Sequence, residues 1–270
     1  MVSVQDYLRQ LKERGLAEAT IRGYWFVLRH FKHEVTRESI EVFQESIAHY
    51  QPATKRGCLE CLIGYLKVAS PQLVKYVVIP KVPKRLPHNI PNQQDVKVIF
   101  QKPDVTTFEG LRDRAILELF YATGLRKKEL LNLQVEDIDL VKQLVRVNQG
   151  KNSKDRILPL SKQALLWVTK YLEKVRPALK PKCNAVFLNP FGWKVSLGYP
   201  YLRVRRYSKN GCHKYRHAYA THLLQNGMKE TSLQRLLGHS LISTTQLYTQ
   251  VTIQDLQKSY RKFHTRDKWK

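Results

Sequence analysis

The chain has 270 residues, long enough for one large domain or two modest ones, and 43% of them are apolar, enough for real cores. Lys and Arg outnumber Asp and Glu by 47 to 22, a formal charge of +25; such an excess favours a polyanionic partner, whose condensed counterions are released when cations bind it. No long apolar stretch marks a membrane span, and the acid-containing amphipathic start MVSVQDYLRQLKERG resembles neither a secretory signal nor a transit peptide, so a cytoplasmic, nucleoid-associated protein is expected.

In chain order, VQDYLRQLKERG spaces Val4, Tyr7, Leu8 and Leu11 as one helix face that stops at Gly15. EATIRGYWFVLRHFKHEV puts Ile21, Trp25, Leu28 and Phe31 on one side of a second helix. RESIEVFQESIAHY and PATKRGCLECLIGYLKVAS, the latter with Pro52 near its first turn, complete a four-helix unit. That unit holds no catalytic constellation, only spaced basic residues: Arg22, Arg29, Lys55 and Arg56 are its candidates for binding a polyanion. Cys58 and Cys61 form a CxxC inside an apolar helical pattern with no second pair at zinc-ribbon spacing, so reduced, largely buried thiols are expected rather than a metal site.

The stretch IPKVPKRLPHNIPN, residues 79–92, holds four prolines together with Lys81, Lys84 and Arg85, a composition that favours extended chain. The expected organisation is a helical domain over residues 1–80, a basic Pro-rich linker over 81–92 and a second domain over 93–270. Basic residues outnumber acidic ones by 14 to 8 through position 90 and by 33 to 14 beyond it, so both parts can touch the same polyanion.

The second domain starts with helices around NQQDVKVIFQK and FEGLRDRAILELFYATG. VKQLVRVNQGKNSKDRILPL alternates apolar and polar residues on both sides of a Gly/Asn/Ser turn, a hairpin or small antiparallel sheet. SKQALLWVTKYLEKV returns to the helical period, and short helices between Gly and Pro breaks follow. The expected fold class is mainly α: an N-terminal helical bundle, then a mixed α/β, mostly helical domain with a small antiparallel sheet.

Several polar residues stand where a reason is needed. Arg126 follows the Gly124-Leu125 break at the start of a helix, with Glu129 one turn on and able to face it. In CHKYRHAYATHLLQNG, His213 and Arg216 lie one turn apart; His217 and Thr221 share the next face, with Ala218, Leu223 and Leu224 available for packing. Taken singly, these are solvated helix-start arginines and surface or core histidines. The histidines have no carboxylate or cysteine at ligand spacing, which disfavours metal.

Taken in order, GLRKKELLNL, the hairpin lysine, HKYRHAYATHLLQNG and LQRLLGHSLISTTQLY resemble the tyrosine recombinase, or phage integrase, family over roughly residues 95–250. The spacing of 23 from Arg216 to His239 and of 9 from His239 to Tyr248 fits that family. The N-terminal unit resembles the family's SAM-like core-binding domain in size and position, and the short chain is most similar to simple Xer-type or integron-type members.

The resemblance implies a site-specific recombinase. Tyr248 attacks a DNA phosphate to form a 3′-phosphotyrosyl link, Arg126 and Arg216 clamp its non-bridging oxygens, and Lys151 protonates the departing 5′-oxygen. His213 assists proton transfer, His239 hydrogen-bonds the phosphate and Glu129 orients the site. It implies double-stranded DNA as partner, a homo-tetramer on two DNA sites, no cofactor and no metal. The hairpin reads GKNSKDR where the family commonly has GKGxK, so Lys154 is the alternative to Lys151, and Ala218 stands where a small hydroxyl residue is common. The tail around Leu256, Tyr260 and Phe263 is amphipathic and either packs on its own domain or docks on a neighbouring protomer. The competing functions are a binding-only regulator descended from a recombinase, disfavoured by the intact tyrosine, and a type IB topoisomerase, disfavoured by the short two-domain chain.

Overall fold

The structure, a computed structural model, describes residues 2–29, 31, 34–82, 90–148, 155–209, 211–237 and 253–265. The chain divides into two compact units, Met1–Leu86 and Pro87–Lys270. Among the described residues no helix is long and apolar enough to cross a membrane.

In the first unit, α1 (Val4–Glu13) starts at Ser3, whose hydroxyl accepts the Asp6 N–H while the Asp6 carboxylate accepts the Ser3 N–H, so two orphan donors are satisfied reciprocally. Tyr7 and Leu11 are buried on its inner face. In α2 (Glu18–Leu28), Leu28 is fully buried and Ile21 and Tyr24 pack at the edge of the core. Trp25 does not join them. It is 51% exposed, because the buried stripe runs through positions 21, 24 and 28 and leaves 25 on the flank. Arg29 covers it instead, its guanidinium 5.2 Å from the Trp25 ring and 4.2 Å from that of Phe26. Phe31 is buried, but beyond the end of the helix.

Thr36 caps α3 (Arg37–Ser46), and Pro52 opens α4 (Pro52–Ala69), where its missing N–H costs no hydrogen bond. Leu59, Leu62 and Leu66 of α4 are fully buried, and Phe31 sits edge-on to both Phe43 and Tyr65. Cys58 is buried and Cys61 half-buried, both as free thiols.

The second unit is built round α6 (Phe108–Thr123), buried along its whole length from Gly110. Its charged residues go inward with partners. Asp113 accepts from Arg203 and from the Tyr199 and Tyr207 hydroxyls, Arg114 pairs with Glu118 at 3.0 Å, and Arg112 donates to the Leu188 carbonyl at 2.6 Å. Helix α5 (Gln93–Gln101) precedes it and α7 (Lys127–Asn132) follows. The sheet has three antiparallel strands in the order β1 (Ile138–Asp139), β2 (Leu144–Val147), β3 (Arg156–Pro159), the first of which was not expected. Val147 pairs with Arg156, so the two longer strands leave the hairpin turn in register.

Four helices follow: α8 (Lys162–Lys170), α9 (Tyr199–Tyr207), α10 (Cys212–Gln225) and α11 (Glu230–Leu237). The last helix, α12 (Ile253–Phe263), packs on its own unit. Tyr260 is fully buried and donates to the Ala122 carbonyl at 2.7 Å, Asn226 donates to the Phe263 carbonyl at 2.7 Å, and Gln257 reaches the Lys142 carbonyl at 3.1 Å.

Candidate active site

Helix α6 ends at Gly124, which takes the left-handed conformation at φ +59 that glycine adopts without a Cβ penalty. A Cβ there would lie 2.6 Å from the Tyr219 ring, so α10 closes directly against the turn. Two residues later Arg126 caps α7. Its backbone N–H donates to Glu129 Oε2 at 2.7 Å and its guanidinium to Glu129 Oε1 at 2.8 Å, while 42% of the side chain stays exposed.

A second guanidinium reaches the same carboxylate. Arg156, which opens β3, donates from Nη2 to Glu129 Oε2 at 2.7 Å, from Nη1 to Oε1 at 3.2 Å and from Nε to the Leu236 carbonyl at 3.0 Å. Burial works against ionising Glu129. The Arg126 N–H and the Arg156 and Arg126 guanidiniums outweigh it and hold the carboxyl below its ordinary range.

The third guanidinium comes from α10. Arg216 is buried and donates to the Gly124 carbonyl at 2.6 Å and to the Leu237 carbonyl at 2.7 Å. Arg156 and Arg216 thus meet successive carbonyls of the last turn of α11, where a helix has orphan acceptors and a negative dipole end. Burial, and then the charges of Arg126 and Arg156 against a partial offset from Glu129, lower the Arg216 pKa to about 10. Three guanidiniums and one carboxylate, drawn from α7, β3 and α10, therefore form one cluster with a net positive charge.

His213, one turn before Arg216, is exposed, as is His217. Burial and the neighbouring His213, Lys214 and Arg216 lower the His217 pKa. Ala218 and Leu223 are buried as expected, but Leu224 is 44% exposed and faces away from the packing. Lys151, Lys154, His239 and Tyr248 lie outside the described residues. The described chain brings the flanking positions to the cluster: β3 begins at Arg156, and α11 ends at Leu237, whose carbonyl Arg216 holds. Among the described residues no group of three or more His, Cys, Asp and Glu side chains is arranged to hold a metal ion.

Of the basic candidates in the first unit, Arg22, Arg29 and Arg56 are exposed and Lys55 half-buried; Arg56 pairs with Glu60 at 2.8 Å. Lys81 is exposed, and Lys84 and Arg85 lie outside the described residues.

Arg156 escaped the sequence reading. Its signal was an arginine opening the otherwise apolar strand RILPL, but its partner Glu129 stands 27 residues earlier. A second buried polar cluster also escaped it. The Tyr121 hydroxyl lies 2.8 Å from His222 Nδ1 and 2.9 Å from Thr265 Oγ1, under the C-terminal segment.

Residues 92–255 match the model of the phage integrase family. Tyrosine recombinase XerC 2 of Ralstonia nicotianae is 34% identical over 285 residues, spanning 97% of this chain and 78% of that protein. Tyrosine recombinase XerD of Staphylococcus epidermidis is 34% identical over 293 residues, spanning 97% and 98%. A lambda integrase tetramer solved on a Holliday junction shares the fold, with a TM-score of 0.67 at 17% identity over 92% of this chain and 79% of its own. The chain belongs to the phage integrase family, the tyrosine recombinases.

Proposed function

We propose that this protein is a site-specific DNA recombinase that breaks and rejoins strands through a 3′-phosphotyrosyl intermediate. The observation that carries the reading is the arginine cluster. A buried Arg216 with a lowered pKa, beside a half-exposed Arg126, is a costly arrangement for a fold and a favourable one for a phosphate whose charge grows in the transition state. Family membership and the intact tyrosine support the same chemistry.

In this reading the Tyr248 oxygen bonds to the scissile phosphorus as the bond to the 5′-oxygen breaks. The departing oxygen takes a proton from Lys151, or from Lys154 if that lysine fills the role. Arg126 and Arg216 hold the non-bridging oxygens, His239 hydrogen-bonds one of them, His213 assists proton transfer at the tyrosine, and Glu129 orients Arg126. A phenol ionises near pH 10, so the cationic surroundings lower the cost of its attack. Reversal by a 5′-hydroxyl rejoins the strand without ATP, because the phosphodiester energy is stored in the protein link.

The first unit binds DNA through Arg22, Arg29, Lys55, Arg56, Lys81, Lys84 and Arg85, and four copies assemble on two DNA sites in the cytoplasm, as the lambda integrase tetramer on its junction suggests. The test starts from the target sequence, recovered by sequencing DNA bound in cells. On a nicked suicide duplex of that sequence the wild-type protein is expected to form an SDS-resistant adduct and Tyr248→Phe none. An adduct that persists in Tyr248→Phe removes the nucleophile assignment; binding without any wild-type adduct is the behaviour of a regulator.

A further inference from the structure

We infer that Arg156 is a positioning residue for strand cleavage, one that fixes the aim of Arg126 through Glu129; the inference rests on the recombinase reading above. Among the described residues Glu129 is the one hydrogen-bonding partner of the Arg126 guanidinium. The direction of Arg126 therefore depends on where that carboxylate sits. Arg156 holds both carboxylate oxygens in a fork, and each of its three nitrogens has a protein acceptor, two on Glu129 and one on the Leu236 carbonyl.

The exposures separate the two roles. The Arg156 side chain is 8% exposed against 42% for Arg126, so Arg126 is open to a ligand and Arg156 faces the protein. Arg156 also belongs to β3 and grips the last turn of α11, so one side chain ties those two elements to the α7 carboxylate that aims Arg126. Lysine cannot replace it fully, because a single ammonium cannot match two carboxylate oxygens and a carbonyl in one plane.

The test uses the full chain and the nicked suicide duplex, with single-turnover adduct formation at saturating protein, DNA affinity and thermal melting measured side by side. Arg156→Met is expected to slow adduct formation about 10²-fold, the cost of a small misplacement at a reacting centre. DNA affinity is expected to stay within about 3-fold of wild type, since the loss is in the transition state alone. Arg156→Lys recovers part of the rate. Combining Arg156→Met with Glu129→Gln slows the reaction no more than the worse single change, because both act on one carboxylate. An unchanged rate, a parallel fall in rate and affinity, or losses that multiply in the double variant each overturn the inference. If Arg156→Met does not fold, Arg156→Lys alone and combined with Glu129→Gln is judged by the same three results. A wild-type protein that forms no adduct overturns the recombinase reading, and the role of Arg156 with it.

Discussion

Helix α10 carries two buried polar clusters that are opposite in kind. Arg216 belongs to a charged group of three guanidiniums and one carboxylate, the other two guanidiniums holding that carboxylate directly. Six residues on, His222 belongs to a neutral one, with Nδ1 2.8 Å from the Tyr121 hydroxyl, which lies 2.9 Å from the Thr265 hydroxyl. Tyr219 stands between them, its ring against Gly124 on one side and 6.2 Å from that of His264 on the other. The neutral cluster closes on itself and pins the C-terminal segment to the fold. The charged cluster keeps a positive excess that only an anion relieves, and that excess marks it as a place for chemistry.

Changes on the charged side are expected to remove rate, and changes on the neutral side to remove stability. Gly124→Ala is expected to act on both, through the turn that joins α6 to the charged cluster. The methyl group would strain a backbone that is already left-handed and would meet Tyr219, displacing the carbonyl that holds Arg216. Cleavage is expected to fall about 10²-fold, with a loss of about 1–3 kcal/mol in thermal unfolding. A loss of stability with an unchanged cleavage rate would detach the turn from the site.

On the neutral side the expected effect is smaller and depends on pH. Burial lowers the His222 pKa from 6.5, only partly offset by the Pro91 carbonyl. Below pH 6.5 the unfolded chain takes up the proton before the folded one does, so this contribution is full above 6.5 and lost as pH falls towards the lower folded value. Protonation also puts a hydrogen on both ring nitrogens, so Nδ1 cannot accept from the Tyr121 hydroxyl 2.8 Å away. The melting temperature is therefore expected to drop on acidification. His222→Gln is expected to cost about 1–3 kcal/mol at pH 8 and to flatten the acid slope. A slope unchanged in that variant would move the titration to another group, His217 first, whose pKa burial also lowers.

Much of this was legible from local spacing. Helices α1 and α3 follow from caps and apolar stripes, and Arg126 faces Glu129 because both lie on one turn. What local spacing cannot show is which polar residues turn inward. In α6 Asp113 is fully buried because Tyr199, Arg203 and Tyr207 arrive from some 90 residues away to hold it. Arg156 was hidden for the same reason. Trp25 fails in the opposite sense: a large aromatic near an apolar stripe reads as core, and here Arg29 covers it at the surface. Strand β1, two residues long, is too short to carry an alternation.

The most direct measurement compares Arg216→Ala with the wild type on two suicide duplexes, one with an ordinary scissile phosphodiester and one with a neutral methylphosphonate in its place. If Arg216 offsets the charge that builds on the phosphate, the variant is about 10³-fold slower on the charged duplex and far less impaired on the neutral one. An equal deficit on both duplexes would contradict a charge-stabilising role and leave Arg216 as a brace between the Gly124 and Leu237 carbonyls.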